Sequence, residues 1–399
     1  MLKGKTVVLG VTGSIAAYKM ANAASLLVKL GAEVHVIMTA NAVHFINPIT
    51  FESLTKHKCL VDTFDRNFQF HVAHVSLAKQ ADVFLVAPAS ANIIGKMANG
   101  IADDMLSTTI LAAKCPVLVS PAMNTNMYEN KIVQDNLSKL QRFGITVIPP
   151  ETGRLACRDV GAGKLPKEEI LVDYVLREIA KEKDLSGKRI LVTAGPTRES
   201  IDPVRFITNH STGKMGYAIA KNAMLRGAEV TLVSGPVEIA PPPFVNVVEV
   251  ESANEMFEAV TAESGQSDIV VMAAAVADYT PTETAEHKIK KTDGDMSVAL
   301  KRTKDILAYL GENKRQGQVL CGFSMETEQV LENSKKKLLK KHADMIAANS
   351  LRETGAGFGT DTNHLTLITE EKTLDVPMMS KEEAADVLLN ELLKLLEKK

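Results

Sequence analysis

Four stretches of this 399-residue chain carry side chains whose types and spacing could do chemistry. His71 and His74 sit close together in FHVAHVSLAKQAD, and either imidazole could act as acid or base because it titrates near neutrality. Cys157 lies in ETGRLACRDVGAGK among Arg154, Arg158 and Lys164, cations that favour a thiolate and could also bind an anion. The glycines of that stretch suit a movable flap or a plain connecting loop with an idle thiol. Lys288 and Lys290 would share one face if their segment is a strand, and Lys291 follows directly. Lys337 and Lys341 share one side of a helix, as a polyphosphate site or as an ordinary solvated face.

The elements that must position these residues open with the same pattern twice. Thr6–Val11 reads as an apolar strand, Thr12-Gly13-Ser14 as a turn and Ile15–Leu30 as an apolar-periodic helix; Lys188–Thr193 then runs into a second turn, this one Gly-Pro. At about 100–200 residues per domain, this restart predicts two α/β domains, 1–186 and 187–399, with the seam near Gly187. In the first, strands at Val34–Met38, Asp82–Ala87, Pro116–Val119 and Ile145–Ile148 alternate with helices at Asn92–Asn99, Asp103–Ala113, Asn130–Phe143 and Lys167–Lys181. Short apolar strands between helices predict a parallel sheet covered on both faces. In the second, a helix at Tyr217–Arg226 precedes strands at Val230–Val233, Val245–Val250, Asp268–Val276, Gln318–Phe323 and Asp344–Ala347. A helix near Asn254–Ser264, a hairpin of His364–Ile368 with Thr373–Val376 and a Leu-rich helix at Lys381–Leu396 complete it.

Ligands of such sheets bind beyond the carboxyl ends of the strands. Those ends carry Thr12-Gly13-Ser14, Thr39, Pro88–Asn92 and Ser120–Asn124, four loops of hydroxyls and amides on one rim. Each alone reads as turn or cap chemistry, but together they make a cradle for a phosphate and a polar ring. The first turn is GVTGS rather than GxGxxG, and Thr39 stands where a ribose-binding carboxylate would end the second strand. A mononucleotide with its phosphate near Gly13-Ser14 therefore fits better than NAD, which disfavours a tandem NAD-dependent oxidoreductase. Tyr217-Ala-Ile-Ala-Lys221 matches the YxxxK pattern of dehydrogenases, but its place after the second turn reads as helix surface.

Composition excludes little beyond this. With 45% hydrophobic and 24% charged residues the chain is an ordinary globular one, and a net charge of −2 gives no overall drive towards nucleic acid or a membrane surface. Cys59, Cys115, Cys157 and Cys321 are far apart with no CxxC pair, so neither a disulfide framework nor a cysteine zinc site is predicted. Met-Leu-Lys-Gly-Lys leads straight into a strand and no run of 18 apolar residues occurs, so the expected compartment is the cytoplasm.

Gly13-Ser14-Ile15-Ala16, His74, Pro88–Asn92, Pro121–Tyr128 and the stretch around Cys157 together resemble the flavin-dependent cysteine decarboxylases. From Lys188 through ITNHSTGKMG at 207–216 to Lys288-Ile289-Lys290-Lys291, the second half resembles phosphopantothenate–cysteine ligase. In that order, end to end, the chain resembles the bifunctional bacterial proteins of coenzyme A biosynthesis. The resemblance implies two tandem three-layer parallel-sheet domains of Rossmann or flavodoxin-like type, with the decarboxylase in 1–186 and the ligase in 187–399. It implies FMN held by Gly13, Ser14, Ile15, Thr39, Ser90, Ala91, Asn92 and Ala122, with His74 as base near the substrate thiol, Asn124 on its carboxylate and Cys157 as final proton donor. In the ligase it implies CTP as co-substrate, its phosphates facing Lys288, Lys337 and Lys341. Ala274, Phe323 and Thr303-Lys304-Asp305-Ile306 would contact the nucleotide. Asp278 would touch the ribose or a Mg²⁺ ion held mostly by phosphates, and Asn209 would orient an acyl-cytidylate. The implied substrates are 4′-phosphopantothenate, L-cysteine and 4′-phosphopantothenoyl-cysteine, in a homo-oligomer that could reach a dodecamer. Tyr128 replaces the usual Trp, Arg158 and Lys164 replace Gly and Arg, and Lys304 replaces Pro. A non-catalytic flavoprotein regulator is disfavoured because His74, Asn124 and Cys157 are all present.

Overall fold

The structure, a computed structural model, describes residues 1–64, 73–154, 159–290, 296–326, 330–350, 357 and 359–399. His71, Cys157, Arg158 and Lys291 lie outside the described residues. The chain divides into two compact units, Met1–Lys181 and Glu182–Lys399.

In the first unit β1 (Thr6–Val11), β2 (Glu33–Met38), β3 (Val83–Ala89), β4 (Val117–Pro121) and β5 (Thr146–Val147) form one sheet in the order β2-β1-β3-β4-β5. Every pairing in it is parallel. All seven residues of β3 are buried, which is why it reads as a continuous apolar run rather than an alternating one. Val8, Phe84, Val86, Ile93 and Leu106 join strands to the helices Ala91–Asn99 and Met105–Ala112 in one core. The helix expected from Ile15 begins as a single 3₁₀ turn, Ile15–Tyr18, before the α-helix Lys19–Lys29. Ser14 is extended and its Oγ accepts the Ala16 N–H at 3.3 Å, so the Gly13-Ser14 turn is capped from within. A helix at Pro48–Thr55 was not expected, although Asn47 as cap and Pro48 in the first turn are the signal for it.

The glycine-rich stretch is not a plain loop. β6 (Glu151–Arg154) and β7 (Val160–Lys164) pair antiparallel as a hairpin, and glycine serves close approach there rather than mobility. A Cβ on Gly161 would meet Thr125 Oγ1 at 2.5 Å, and one on Gly163, whose φ is +120°, would meet the Met123 carbonyl oxygen at 2.3 Å. The hairpin is thereby seated on the loop after β4, where the Met123 N–H also donates to the Gly163 carbonyl at 3.0 Å.

The second unit is built on an eight-stranded sheet. From edge to edge its strands are Asn246–Glu249, Glu229–Ser234, Arg189–Ala194, Ile269–Met272, Val319–Glu326, Met345–Ser350, Thr362–Ile368 and Thr373–Ser380. The first six are parallel, and the last two form an antiparallel hairpin at the edge. The helix Lys381–Glu397 starts from a capping box between Ser380 and Glu383 and buries Leu388, Leu389 and Leu392. Three expectations need correction. The strand expected over Asp268–Val276 stops at Met272, because Ala274 and Ala277 turn their N–H groups to the hydroxyls of Thr193 and Thr197 instead of a ladder. Lys288 and Lys290 are exposed and lie outside any strand. Their segment is tied through Ile289, whose N–H donates to Asp202 Oδ2 at 3.1 Å and whose carbonyl accepts from Arg205 at 3.2 Å. Tyr217, expected on a helix surface, is buried with its hydroxyl 3.0 Å from Ser234 Oγ.

No described helix is long and apolar enough to cross a membrane.

Candidate functional site

The order β2-β1-β3-β4-β5 reverses direction between β1 and β3, and the loops that leave these strands diverge there to open a crevice. Thr12 fixes that crevice. Its buried hydroxyl donates to the Pro88 carbonyl at 2.6 Å and accepts the Ser90 N–H at 3.0 Å, locking the loop after β1 to the loop after β3. Above them lies a cavity of about 660 Å³, within the usual range for a cofactor. Gly13, Ser14, Ile15, Ser90, Ala91, Ala122 and Asn124 line it, joined by Met123, Met127, Arg154, Gly163 and Lys164, with the hairpin β6–β7 as one wall. Asn92, Thr39 and His74 are not in this lining; Asn92 is exposed on the first turn of the helix Ala91–Asn99, and His74 stands near the start of the helix Ala73–Gln80.

Two observations bear on whether a phosphorylated flavin suits this rim. Thr39 Oγ1 is buried and has no hydrogen-bond partner, and Ser90, at the N-terminus of the helix Ala91–Asn99, makes no capping bond with its side chain. The uncapped helix start, whose Ser90 lines the cavity, is what an anionic, polar ligand would satisfy, while the orphaned Thr39 hydroxyl lies outside the lining; the residues present fit FMN through Ser90 and the Gly13-Ser14 turn. The hairpin wall is braced by the ion pair of Lys164 with Glu151 at 3.1 Å. Burial opposes the charge on Glu151, but hydrogen bonds from Lys164 and the Lys167 N–H hold its carboxyl below the ordinary range. Lys164 thus has a place of its own here.

The Asn124 side chain has a double engagement. Its Oδ1 accepts the Asn126 N–H at 2.9 Å, capping the short helix Thr125–Tyr128, and its Nδ2 donates to Asp159 Oδ2 at 3.1 Å. Capping fixes the amide's orientation, and its donor end already meets a carboxylate. Burial disfavours the thiolate of the other cysteines: it pushes Cys59 up to about 12 and raises Cys115 and Cys321 as well.

In the second unit nine positions singled out for a nucleotide line one cavity of about 460 Å³: Ala274, Asp278, Thr303, Lys304, Asp305, Ile306, Phe323, Lys337 and Lys341. They come from the loop after Ile269–Met272, the start of the helix Ile306–Glu312, the strand Val319–Glu326 and the end of the helix Val330–Lys340. Hydroxyls hold the parts together. Thr193 Oγ1 accepts the Ala274 N–H at 3.0 Å, while Thr303 donates its hydroxyl to the Ala277 carbonyl at 2.7 Å. Lys337 Nζ reaches the Phe323 carbonyl at 3.2 Å, and Lys341 forms an ion pair with Asp305, which also caps its helix by accepting the Ala308 N–H at 3.0 Å. Burial works against ionised Asp305, but Lys341 and the Ala308 N–H keep its carboxyl below the usual value. Lys304 places its ammonium 4.3 Å from the centroid of Phe257, a contact proline could not make.

Asn209 is exposed and donates Nδ2 to the Ala275 carbonyl at 2.8 Å, at the loop that borders this cavity. Lys288 does not line it. The sequence reading missed Arg302, Tyr279 and Leu307, which also line it. The pairing of Tyr279–Pro281 with Leu300–Arg302 brings the first two there, across a span that no periodicity connects.

Residues 1–180 match the family described as Flavoprotein, and residues 185–396 match the one described as DNA/pantothenate metabolism flavoprotein C-terminal domain. The chain is 47% identical over 396 residues to the coenzyme A biosynthesis bifunctional protein CoaBC of Bacillus subtilis, spanning 98% of this chain and 97% of that one. To the protein of the same name from Vibrio vulnificus it is 43% identical, over 95% of each chain. Among solved structures, the C-terminal domain of a coenzyme A biosynthesis bifunctional protein CoaBC matches 55% of this chain and all of its own, at 46% identity and a TM-score of 0.48.

Proposed function

This chain belongs to the family of bifunctional coenzyme A biosynthesis proteins, and from that premise we propose how its two cavities divide the work. The protein is a ligase and a decarboxylase in one chain. It joins cysteine to 4′-phosphopantothenate at the expense of CTP, then decarboxylates the product with FMN to give 4′-phosphopantetheine.

The ligase half must activate a carboxylate, which is a poor electrophile. The carboxylate of 4′-phosphopantothenate attacks the α-phosphorus of CTP, pyrophosphate leaves, and the amine of cysteine then displaces CMP from the acyl-cytidylate. Charge accumulates on the departing pyrophosphate, and Lys337 and Lys341 are the cations assigned to it. Thr303 to Ile306, Phe323 and Ala274 hold the nucleotide, Asn209 orients the acyl-cytidylate, and Lys288 serves the phosphates from the exposed segment. Asp278 touches the nucleotide's ribose or its Mg²⁺, most of whose ligands are then phosphate oxygens. What supports this reading is the convergence of nine positions scattered from 274 to 341 on one cavity with cationic and aromatic walls.

In the decarboxylase half FMN would be held by the Gly13–Ile15 turn, Ser90, Ala91 and Ala122, all in the cavity lining, and by Thr39 and Asn92 from outside it. When bound it supplies a temporary acceptor for the electrons of the cysteinyl thiol, without which loss of carbon dioxide has no outlet. Asn124 holds the leaving carboxylate, His74 takes the thiol proton and Cys157 returns the last one. A homo-oligomer, up to a dodecamer, in the cytoplasm completes the reading.

The deciding experiment follows both products. One pyrophosphate per site should be released with CTP and 4′-phosphopantothenate alone, sustained release should require cysteine as well, and carbon dioxide should follow from a protein with a flavin spectrum. Colourless protein that does not take up FMN, or pyrophosphate release indifferent to the nucleotide base, would overturn it.

A further inference from the structure

Outside the cavity of the first unit, at the start of β2, three side chains meet to which the proposed reactions assign no role. Glu33 and His35 are two residues apart on this strand and so face the same way. β2 is the edge of its sheet, and the chain returns to it after the helix Pro48–Thr55, where Lys56 turns back at a φ of 63°. The returning segment runs beside β2: Leu60 donates its N–H to Val36 and accepts from Met38, at 3.0 and 2.8 Å. His57, at the head of that segment, stacks on His35 with ring centroids 4.2 Å apart.

The donor atoms converge on one oxygen. Glu33 Oε1 lies 3.0 Å from His35 Nε2 and 3.8 Å from His57 Nε2, and one ligating atom from each residue lies within 4.8 Å of the other two. A hydrogen bond accounts for the first distance but not the second, which is beyond hydrogen-bond reach. In a tetrahedral site with bonds of about 2.1 Å, neighbouring donors stand roughly 3.4 Å apart, between these two values. Two imidazole nitrogens and one carboxylate oxygen form a donor set suited to a borderline-soft divalent ion rather than to Mg²⁺ or Ca²⁺. The side chains are 19%, 36% and 56% exposed for His35, His57 and Glu33, which leaves room for the ion to enter and for water as a further ligand.

We infer that Glu33, His35 and His57 form a binding site for a first-row divalent transition metal ion, Zn²⁺ foremost, that clips the 57–60 segment to the edge of the first sheet. The site stands at the opening end of β2, whereas Thr39 and the cofactor rim follow its closing end. It is therefore a structural clip and takes no part in the decarboxylation.

The test uses untagged, FMN-loaded full-length protein freed of metal with a chelator, titrated with ZnCl₂ by calorimetry in excess Mg²⁺. One saturable Zn²⁺ per chain is expected, weakened about tenfold or more in both His57→Gln and Glu33→Gln, each with its flavin content unchanged. Zinc should raise the thermal midpoint of the parent protein and not of these variants. X-ray absorption at the zinc edge of the unmutated protein should show nitrogen and oxygen neighbours without sulfur, a result that does not depend on how the variants fold. No saturable site, parental affinity in both variants, or sulfur in the zinc shell would overturn the inference.

Discussion

Asn124 donates its side-chain amide to the carboxylate of Asp159 across 3.1 Å, on the wall of the cofactor cavity. In the proposed decarboxylase reaction the substrate carboxylate takes that same donor, so the resting protein holds a rival of its own. Asp159 is exposed, which limits the competition to about 1 kcal/mol. Asp159→Ala should therefore lower KM for 4′-phosphopantothenoyl-cysteine up to about fivefold, while Asn124→Asp, setting two carboxylates face to face, should raise it. Steady-state carbon dioxide release measures both, and an unchanged KM in the pair would remove Asn124 from the carboxylate.

Gly163 offers a test of the hairpin itself. Its φ of +120°, and the 2.3 Å at which an added Cβ would meet the Met123 carbonyl oxygen, leave no place for a side chain. Gly163→Ala should lift β7 off the rim and depress decarboxylation tenfold or more, about 1.4 kcal/mol in the barrier. Pyrophosphate release by the other half of the same chain is the internal control and should stay at the parental rate. Equal loss of both activities would mean general misfolding.

Cys157 lies outside the described residues, but the strand after its stretch, β7, is seated on the Met123–Thr125 loop and pairs with β6, the strand before it. If it returns the last proton, Cys157→Ser should release carbon dioxide once and then stall before 4′-phosphopantetheine. Mass spectrometry of a single turnover would show the unsaturated product accumulate. Full turnover by that variant would take the thiol out of the reaction.

How much of this was legible beforehand follows from where the information sits. β1 was readable to the residue, because a buried parallel strand is an uninterrupted apolar run and its Gly turn marks the end. The strand at Ile269–Met272 was overrun because apolar residues continue to Val276 while Thr193 and Thr197, far away in sequence, draw the backbone out of the ladder. The hairpin β6–β7 was hidden for a related reason: its glycines looked like slack, and only the facing loop shows that they are contact surfaces. Lys337 and Lys341 could be placed side by side from helical spacing, and the Lys341 N–H indeed donates to the Lys337 carbonyl at 3.0 Å. That Asp305 would meet Lys341 is a tertiary fact with no local trace.

That ion pair makes Lys341 informative. Lys341→Gln removes a cation from the side of the cavity proposed for the phosphates and would leave the Asp305 charge without this partner, repelling a nucleotide bound there. KM for CTP should rise about tenfold, close to 1.4 kcal/mol, with the decarboxylase unaffected. Because Asp305 also caps its helix, Asp305→Asn keeps the cap while removing the charge and should restore part of the loss in the double variant. Additive losses in that cycle would show that the two side chains do not act on the nucleotide together.

The last prediction concerns stability and its dependence on pH. Arg226 is 3% exposed and its guanidinium is held by Asp184 in a two-pronged contact, 2.8 Å at Nε and 2.5 Å at Nη2, with Asp386 at 3.6 Å from Nη1. Hydrogen bonds from Arg226 hold the Asp184 carboxyl below the ordinary carboxylate value, against a smaller effect of burial. A carboxyl depressed by folding stabilises the folded state at pH above its unfolded value, about 3.9. That contribution fades as pH falls through the lower folded value. Asp184→Asn should destabilise the second unit by about 1 kcal/mol at neutral pH, the figure for a buried pair discounted for solvent at Asp184 and for the second partner. Urea unfolding of parent and variant across the acid range should show the gap close as Asp184 is protonated. A gap that stays constant to the lowest pH at which the fold survives would place the effect in packing rather than charge.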